Sequence, residues 1–255
     1  LEEMSMAKNL IPYGLLERAY KEVKILLTEN LEFYRNFDEA VCRPLHIFEC
    51  FEGIIGTKMS GVNWNTSCGI FPRETWKEIF GVAMSGFEYK VKKDWIVNDS
   101  FPYEVDENFY NLIEHTDTVI RAGIRPMNVL NAALKDEPLK KTKCEEFRTR
   151  VFYADQFHIL ILIMKYFGPV LNYMTTFPFS SRSAVGLNPM SHDWEVLYKY
   201  LSWDDSVDGT DKPVFHALFY DFKAFDKTLC ESLMKHAWGL LIEVAEQMGY
   251  SNEDL

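Results

Sequence analysis

Two aspartates five residues apart, Asp221 and Asp226, carry the sharpest chemistry in this chain. Asp221 ends Val214-Phe215-His216-Ala217-Leu218-Phe219-Tyr220, a run without charge and rich in β-branched and aromatic residues, which suits a buried strand. A carboxylate at the end of such a strand is rigidly held and of the type that hard divalent cations take as a ligand. Asp226 falls where a helical pattern opens. The plainer reading is that Asp221 ends the strand and Asp226 is a helix N-cap. A second site is cationic: Lys135, Lys140, Lys141, Lys143, Arg148 and Arg150 place six cations in sixteen residues. Fixed positive charge matches a triphosphate, because Arg grips phosphate oxygens bidentately and Lys acts as a point charge. Asp136, Glu137, Glu145 and Glu146 are interleaved. A solvated, salt-bridged surface hairpin is therefore the plainer reading of that stretch.

Taken together, these stretches resemble a known family. Lys135-Asp136-Glu137, Lys143 and Arg148-Thr149-Arg150-Val151-Phe152 are similar to motif F of the RNA-dependent RNA polymerases of picorna-like positive-strand RNA viruses. That motif runs K-D-E, a basic stretch, [K/R]-[S/T]-R and then apolar residues. Met164-Lys165-Tyr166-Phe167-Gly168 resembles the segment that follows it, with Lys165 in place of the usual arginine. Ser183-Ala184-Val185-Gly186-Leu187-Asn188-Pro189 is similar to the turn before motif A, and Asp221 to Asp226 falls at motif A, D-x-x-x-x-D. Upstream, Asn65-Thr66-Ser67-Cys68-Gly69-Ile70-Phe71-Pro72 resembles the T-S-x-G-[Y/F]-P loop of the fingers. The order is the family's. Leu139 stands where the family often has arginine, and Ile70 replaces an aromatic. Nothing after Asp226 resembles motif B or the Gly-Asp-Asp of motif C. Asp204-Asp205 precedes motif A, beside Trp203, and reads as a solvated acidic loop.

The resemblance implies template-directed nucleotidyl transfer from nucleoside triphosphates to an RNA 3′-hydroxyl, with Mg²⁺ or Mn²⁺ in a two-metal mechanism. Asp221 would be a metal ligand, and Asp226 would read the ribose 2′-hydroxyl that separates RNA from DNA precursors. Lys135, Lys143, Arg148 and Arg150 would neutralise the triphosphate and the departing pyrophosphate. Arg150 and Lys135 occupy the most diagnostic positions. Asn65 and Ser67 become template-side candidates. The implied partners are RNA template and primer and other viral replication proteins, in replication complexes of the host cytoplasm. With motifs B and C missing, the chain is expected to be a fragment that is inactive alone. Its first residue, leucine, suggests excision from a longer product. The alternatives are a non-catalytic RNA-binding or scaffold remnant of such a polymerase, and a reverse-transcriptase-like palm polymerase. The second shares motif A alone, and the stretch from Lys135 to Arg150 argues against it.

These residues need a frame. The expected fold is α+β, an incomplete right-hand polymerase, with fingers over residues 1–200 and the start of the palm over 201–255. Apolar positions at helical spacing predict helices over Leu15 to Leu27, Asn108 to Arg121, Asp193 to Leu201 and Leu229 to Met248, the last closed by Gly249. Asp38 to Phe51 reads as helical or mixed, Lys90 to Phe101 as a strand with turns, and Ile124 to Leu134 as extended. Asp155 is expected to cap a helix that stops near Gly168-Pro169. Ser180 to Pro189 is a polar turn region, and Ser202 to Pro213 an acidic loop.

Composition bounds the rest. At 47% apolar and 15% aromatic residues the chain can build a core, and net charge −11 argues against unspecific coating of nucleic acid. The charge is uneven. Residues 186–255 hold 13 acidic and 5 basic side chains, whereas residues 135–182 hold 8 basic and 5 acidic ones. The five cysteines are odd in number and lack a C-x-x-C pair, which fits reduced thiols better than disulfides or zinc ligands. No signal peptide is visible, and the longest uninterrupted apolar run, Ile159 to Met164, is six residues, too short to span a bilayer.

Overall fold

The computed structural model describes residues 11–37, 40–70, 91–98, 103–126, 128–145, 149–201 and 229–255. The elements in order are α1 (Tyr13–Thr28), α2 (Leu31–Arg35), α3 (Ile47–Glu52), a 3₁₀ turn (Lys92–Trp95), β1 (Ile96–Asn98), β2 (Glu104–Val105), α4 (Glu107–Arg121), β3 (Asn131–Leu134), α5 (Lys141–Glu145), β4 (Val151–Ala154), α6 (Phe157–Thr176), α7 (Asp193–Leu201) and α8 (Glu231–Met248). Two antiparallel ribbons, β1–β2 and β3–β4, are the sheets among the described residues. The mixture is α+β, as expected. The chain divides into two compact units. One comprises residues 1–42 and 170–249, the other residues 43–169 and 250–255. The expected boundary between fingers and palm adjoins residues 202–228, which lie outside the described residues, as do the loop expected over Ser202 to Pro213 and the strand expected over Val214 to Tyr220.

In the unit built on residues 43–169, an aromatic core explains the assembly. Phe157, at the start of α6, stacks on Phe109 of α4 with centroids 4.6 Å apart, and Trp95 lies 4.8 Å from Phe109 on the other side. Phe51 and Trp64 pack against the same Phe157 ring. Large rings bury much area for few rotamers, so this cluster is a major part of the unit's core. α4 begins where the sequence says it should, since the Asp106 carboxylate accepts from Asn108 N–H at 2.8 Å as an N-cap.

The other unit pairs α1 with α8. Tyr173 on α6 donates its hydroxyl proton to the Leu27 carbonyl at 2.6 Å, and Asn172 donates to the Tyr34 hydroxyl at 2.9 Å. Burial pushes the Tyr173 phenol up to about 12. The apolar stripe expected along α8 is buried only at its end: Val244 and Met248 are buried with Ala245, whereas Ala237 is exposed. The polar pairs His236–Glu17 (3.2 Å) and Glu243–Lys24 (2.6 Å) instead turn positions 236 and 243 toward α1.

α6 departs from expectation at both ends. Asp155 accepts from Gln156 N–H at 2.8 Å, and it is the Gln156 carbonyl that receives the first helical bond, from Leu160. At the far end the helix runs through Gly168-Pro169 to Thr176. A proline in a helix interior removes the bond to the carbonyl four residues back, here that of Lys165. The Leu45 N–H takes that oxygen at 2.8 Å, so no acceptor is orphaned and the helix continues. By length and composition α6 could cross a membrane, which the six-residue apolar run did not suggest, but half of it is buried within the structure. Its polar bonds through Lys165 and Asn172 fit a core helix.

Candidate active site

The ribbon β3–β4 presents the cationic stretch. Its register pairs Asn131 with Ala154, Ala132 with Tyr153, Ala133 with Phe152 and Leu134 with Val151. One step further, Lys135 N–H donates to the Arg150 carbonyl at 2.8 Å. The two most diagnostic cations thus close the ribbon opposite each other, although fifteen positions separate them in sequence. Directly opposed residues share a face, so both belong to the face that carries Phe152, itself 46% exposed.

Both cations share one carboxylate. Glu137 lies 2.9 Å from Lys135 Nζ and 3.7 Å from an Arg150 terminal nitrogen. The bond from Lys135, with charge from Arg150 and Lys143, holds the Glu137 carboxyl below its ordinary value. Like charges side by side repel, and a shared anion lets them sit together before any phosphate arrives. Lys143 is exposed on α5, where Lys141 and Glu145 approach to 3.9 Å. The salt-bridged surface hairpin is therefore present. Arg148 lies outside the described residues.

The loop holding Asn65 and Ser67 is set by its own polar groups. Asn65 N–H donates to the Asn63 side chain at 3.2 Å, and the Ser67 hydroxyl accepts from Gly69 N–H at 3.2 Å. Both residues are exposed. Lys92 holds the loop from the 3₁₀ turn: its ammonium donates to the Thr66 hydroxyl at 2.8 Å and its backbone N–H to the Thr66 carbonyl at 2.9 Å. Burial pulls that ammonium below its ordinary value, and it sits 5.5 Å over the Phe157 ring. Lys92 belongs to none of the sequence signatures. No local signal in the sequence marked it, since its partner Thr66 lies 26 positions away.

Lys165 is paired with Asp117 at 2.5 Å, and the Tyr166 hydroxyl donates to the other oxygen of Asp117 at 2.6 Å. Burial depresses the Lys165 ammonium, but its bonds to Asp117 and Tyr166 outweigh that and raise it overall. Arg121 extends the cluster to the Tyr166 hydroxyl (2.7 Å), to Asp254 (3.2 Å) and to the Glu253 carbonyl. This lysine acts as a structural cation within the cluster. His158, 3% exposed, is driven by burial down to about 4 and is a neutral core residue. Asp221 and Asp226 lie outside the described residues, and among those described no cluster of His, Cys, Asp and Glu side chains could hold a metal ion.

Comparison with known proteins identifies the family. Residues 7–249 match the family model described as viral RNA-dependent RNA polymerase. The chain is 31% identical over 111 residues to the replicase polyprotein of Drosophila C virus (strain EB), a match covering 44% of this chain and 6% of the polyprotein. It is 35% identical over 96 residues to the RNA1 polyprotein of Tomato ringspot virus (isolate raspberry), covering 37% and 4%. Against the replication polyprotein of Nora virus it is 23% identical over 123 residues, covering 46% and 6%. The chain thus spans only a small part of these relatives. Among solved structures, a Sicinivirus 3Dpol RNA-dependent RNA polymerase superposes with a TM-score of 0.53 at 20% identity, covering 75% of this chain and 34% of that one. The architecture is accordingly part of a right-hand polymerase fold, and the chain belongs to the viral RNA-dependent RNA polymerase family.

Proposed function

We propose that this chain supplies the fingers and the opening of the palm of an enzyme that copies viral RNA by nucleotidyl transfer. The observation that carries this reading is the closure of the ribbon: Lys135 and Arg150, joined through their backbones at 2.8 Å and sharing Glu137, form a preassembled cationic pair. When a triphosphate enters, its oxygens replace the Glu137 carboxylate as the partners of that pair. The charge on those oxygens grows as pyrophosphate departs, so the pair stabilises the transition state more than the bound substrate. Lys143 and Arg148 add to the same field. Asn65 and Ser67, exposed on a loop with fixed backbone, would meet the template.

The divalent ions of this family would supply Lewis acidity to the triphosphate, and Asp221, an oxygen donor at the end of the expected strand, is of the type that would hold one. Asp226 would discriminate the sugar. The work belongs to the host cytoplasm, in company with other replication proteins, and the free state of the cysteines fits a reducing compartment.

Arg150→Ala in the full-length polymerase tests the reading. It should raise KM for nucleotide and lower kcat, with a combined loss on the order of 2–4 kcal/mol in transition-state stabilisation. Unchanged constants for nucleotide would reduce the ribbon to a solvated surface hairpin and favour the non-catalytic RNA-binding alternative.

A further inference from the structure

The root of the ribbon and the Asn63–Ile70 loop are joined by three contacts. β4 ends at Ala154, and the three residues that lead into α6 all meet the loop. Phe157 N–H donates to the Cys68 carbonyl at 3.0 Å. Gln156 Nε2 donates to the Ile70 carbonyl at 2.5 Å. Gly69 lies so close to the Asp155 carbonyl that a Cβ there would sit 2.5 Å from the oxygen. The loop's other edge is held by Lys92 on Thr66.

Gln156 is the informative member. It is 1% exposed, and its Oε1 has no hydrogen-bond partner among the described residues. A buried amide with one end unsatisfied is costly, and an apolar side chain of the same size would avoid that cost. What the amide supplies in return is a single directed bond across to the loop. The ribbon on one side of this junction carries Lys135 and Arg150, and the loop on the other carries Asn65 and Ser67.

We infer that Gln156 is a positioning residue that couples the template-side loop to the triphosphate-side ribbon. It fixes residues 66–70 against the root of the ribbon, so that the template strand and the incoming nucleotide are held in one register. The inference rests on the polymerase reading proposed above. Without the bond, the loop shifts independently of the ribbon and releases template while the phosphate site is unaltered.

The experiment uses the full-length polymerase with Gln156→Met, which keeps volume and removes the donor, and Gln156→Leu as a second variant. Stalled elongation complexes on a defined primer–template are challenged with salt, and their half-life is measured beside KM for nucleotide and the thermal midpoint. Loss of one such bond should shorten the half-life about five- to tenfold and leave KM within about twofold, with the midpoint near wild type. Combined with Ser67→Ala, the effect should be less than additive, because both changes act through one loop. The inference is overturned by a half-life within about twofold of wild type in both variants, by full additivity with Ser67→Ala, or by a shortened half-life that comes with a raised KM and a lowered midpoint. Arg150→Ala in the same assay separates the two readings. If it raises KM and the Gln156 variants do nothing, only the coupling fails; if it leaves nucleotide constants unchanged, the polymerase reading fails.

Discussion

The backbone N–H of Leu45 donates to the Lys165 carbonyl at 2.8 Å, supplying from a distant segment the bond that Pro169 cannot make. This bond lets α6 remain one helix of 20 residues, from the aromatic core around Phe157 to the buried Tyr173. Leu45 itself is 3% exposed, so its side chain and its N–H contribute separately. Leu45→Ala should cost roughly 2–4 kcal/mol through the lost side chain. Leu45→Pro should cost about 1–3 kcal/mol more, because it also strands the Lys165 carbonyl. Denaturant titration of both variants measures the difference; equal midpoints would mean that the helix tolerates an unpaired carbonyl at this turn.

Gly69 is required by two conditions at once. Its φ is +80°, and an added Cβ would meet the Asp155 carbonyl at 2.5 Å. Gly123 has a similar φ of +74° with open space around it. Gly123→Ala should therefore cost only the backbone term, about 1–2 kcal/mol. Gly69→Ala should cost clearly more and also weaken template retention, because backbone atoms cannot rotate aside as a flexible side chain could. Equal stability of the two variants would show that the loop relocates freely.

His236 gives the α1–α8 pairing a pH dependence. One ring nitrogen faces the Ser232 carbonyl at 2.7 Å and the other faces Glu17 at 3.2 Å. Two acceptors favour the doubly protonated ring, so the Ser232 carbonyl first, then Glu17, raise its pKa. Glu17 is lowered, by Tyr13 first and then by His236. The histidine's contribution is complete below its unfolded value and is lost as pH rises through the raised folded value. Hydrogen exchange of α1 amides should accelerate, relative to the intrinsic rate, as pH passes upward through that value. His236→Gln should abolish the change, and a wild-type profile flat across neutral pH would refute it.

Asp226 is proposed to act on sugar choice more than on chemistry. A carboxylate accepting from the 2′-hydroxyl is left unpaired by a deoxynucleotide, and the site pays for that. Asp226→Asn should narrow the ratio of kcat/KM between a matched ribonucleotide and deoxynucleotide pair. If Asp226 is only a helix N-cap, stability falls by about 1 kcal/mol and the ratio stays as it was.

Much of this was legible in one sequence because the signals were local. Asp193 to Leu201 is helical over the span that periodicity marks, and α4 starts one residue before the predicted Asn108, behind its Asp106 cap. The salt-bridged hairpin over Lys135 to Arg150 was legible from its interleaved charges, but the opposition of those two cations was not. What could not be read was non-local. Nothing near Pro169 says that Leu45 will repair the helix, and nothing near Gln156 says that its amide reaches the Ile70 carbonyl, 86 positions away. On α8 the spacing names Val244 and Met248, which are buried, but it does not show that His236 and Glu243 pair with Glu17 and Lys24 of α1.

The carboxylate shared by Lys135 and Arg150 also bears on counterion thermodynamics. A polyanion bound by free cations gains entropy from each small ion it sheds, at a slope near −0.7 in log–log salt dependence per phosphate for single strands. Six independent cations would give a steep slope. Glu137 already serves as the resident anion for two of the six, so a phosphate that reaches them displaces a tethered carboxylate and liberates less to solution. A polyphosphate bound at this ribbon would consequently be less salt-sensitive than its count of lysines and arginines suggests, and more of its affinity would come from the fixed geometry of the pair.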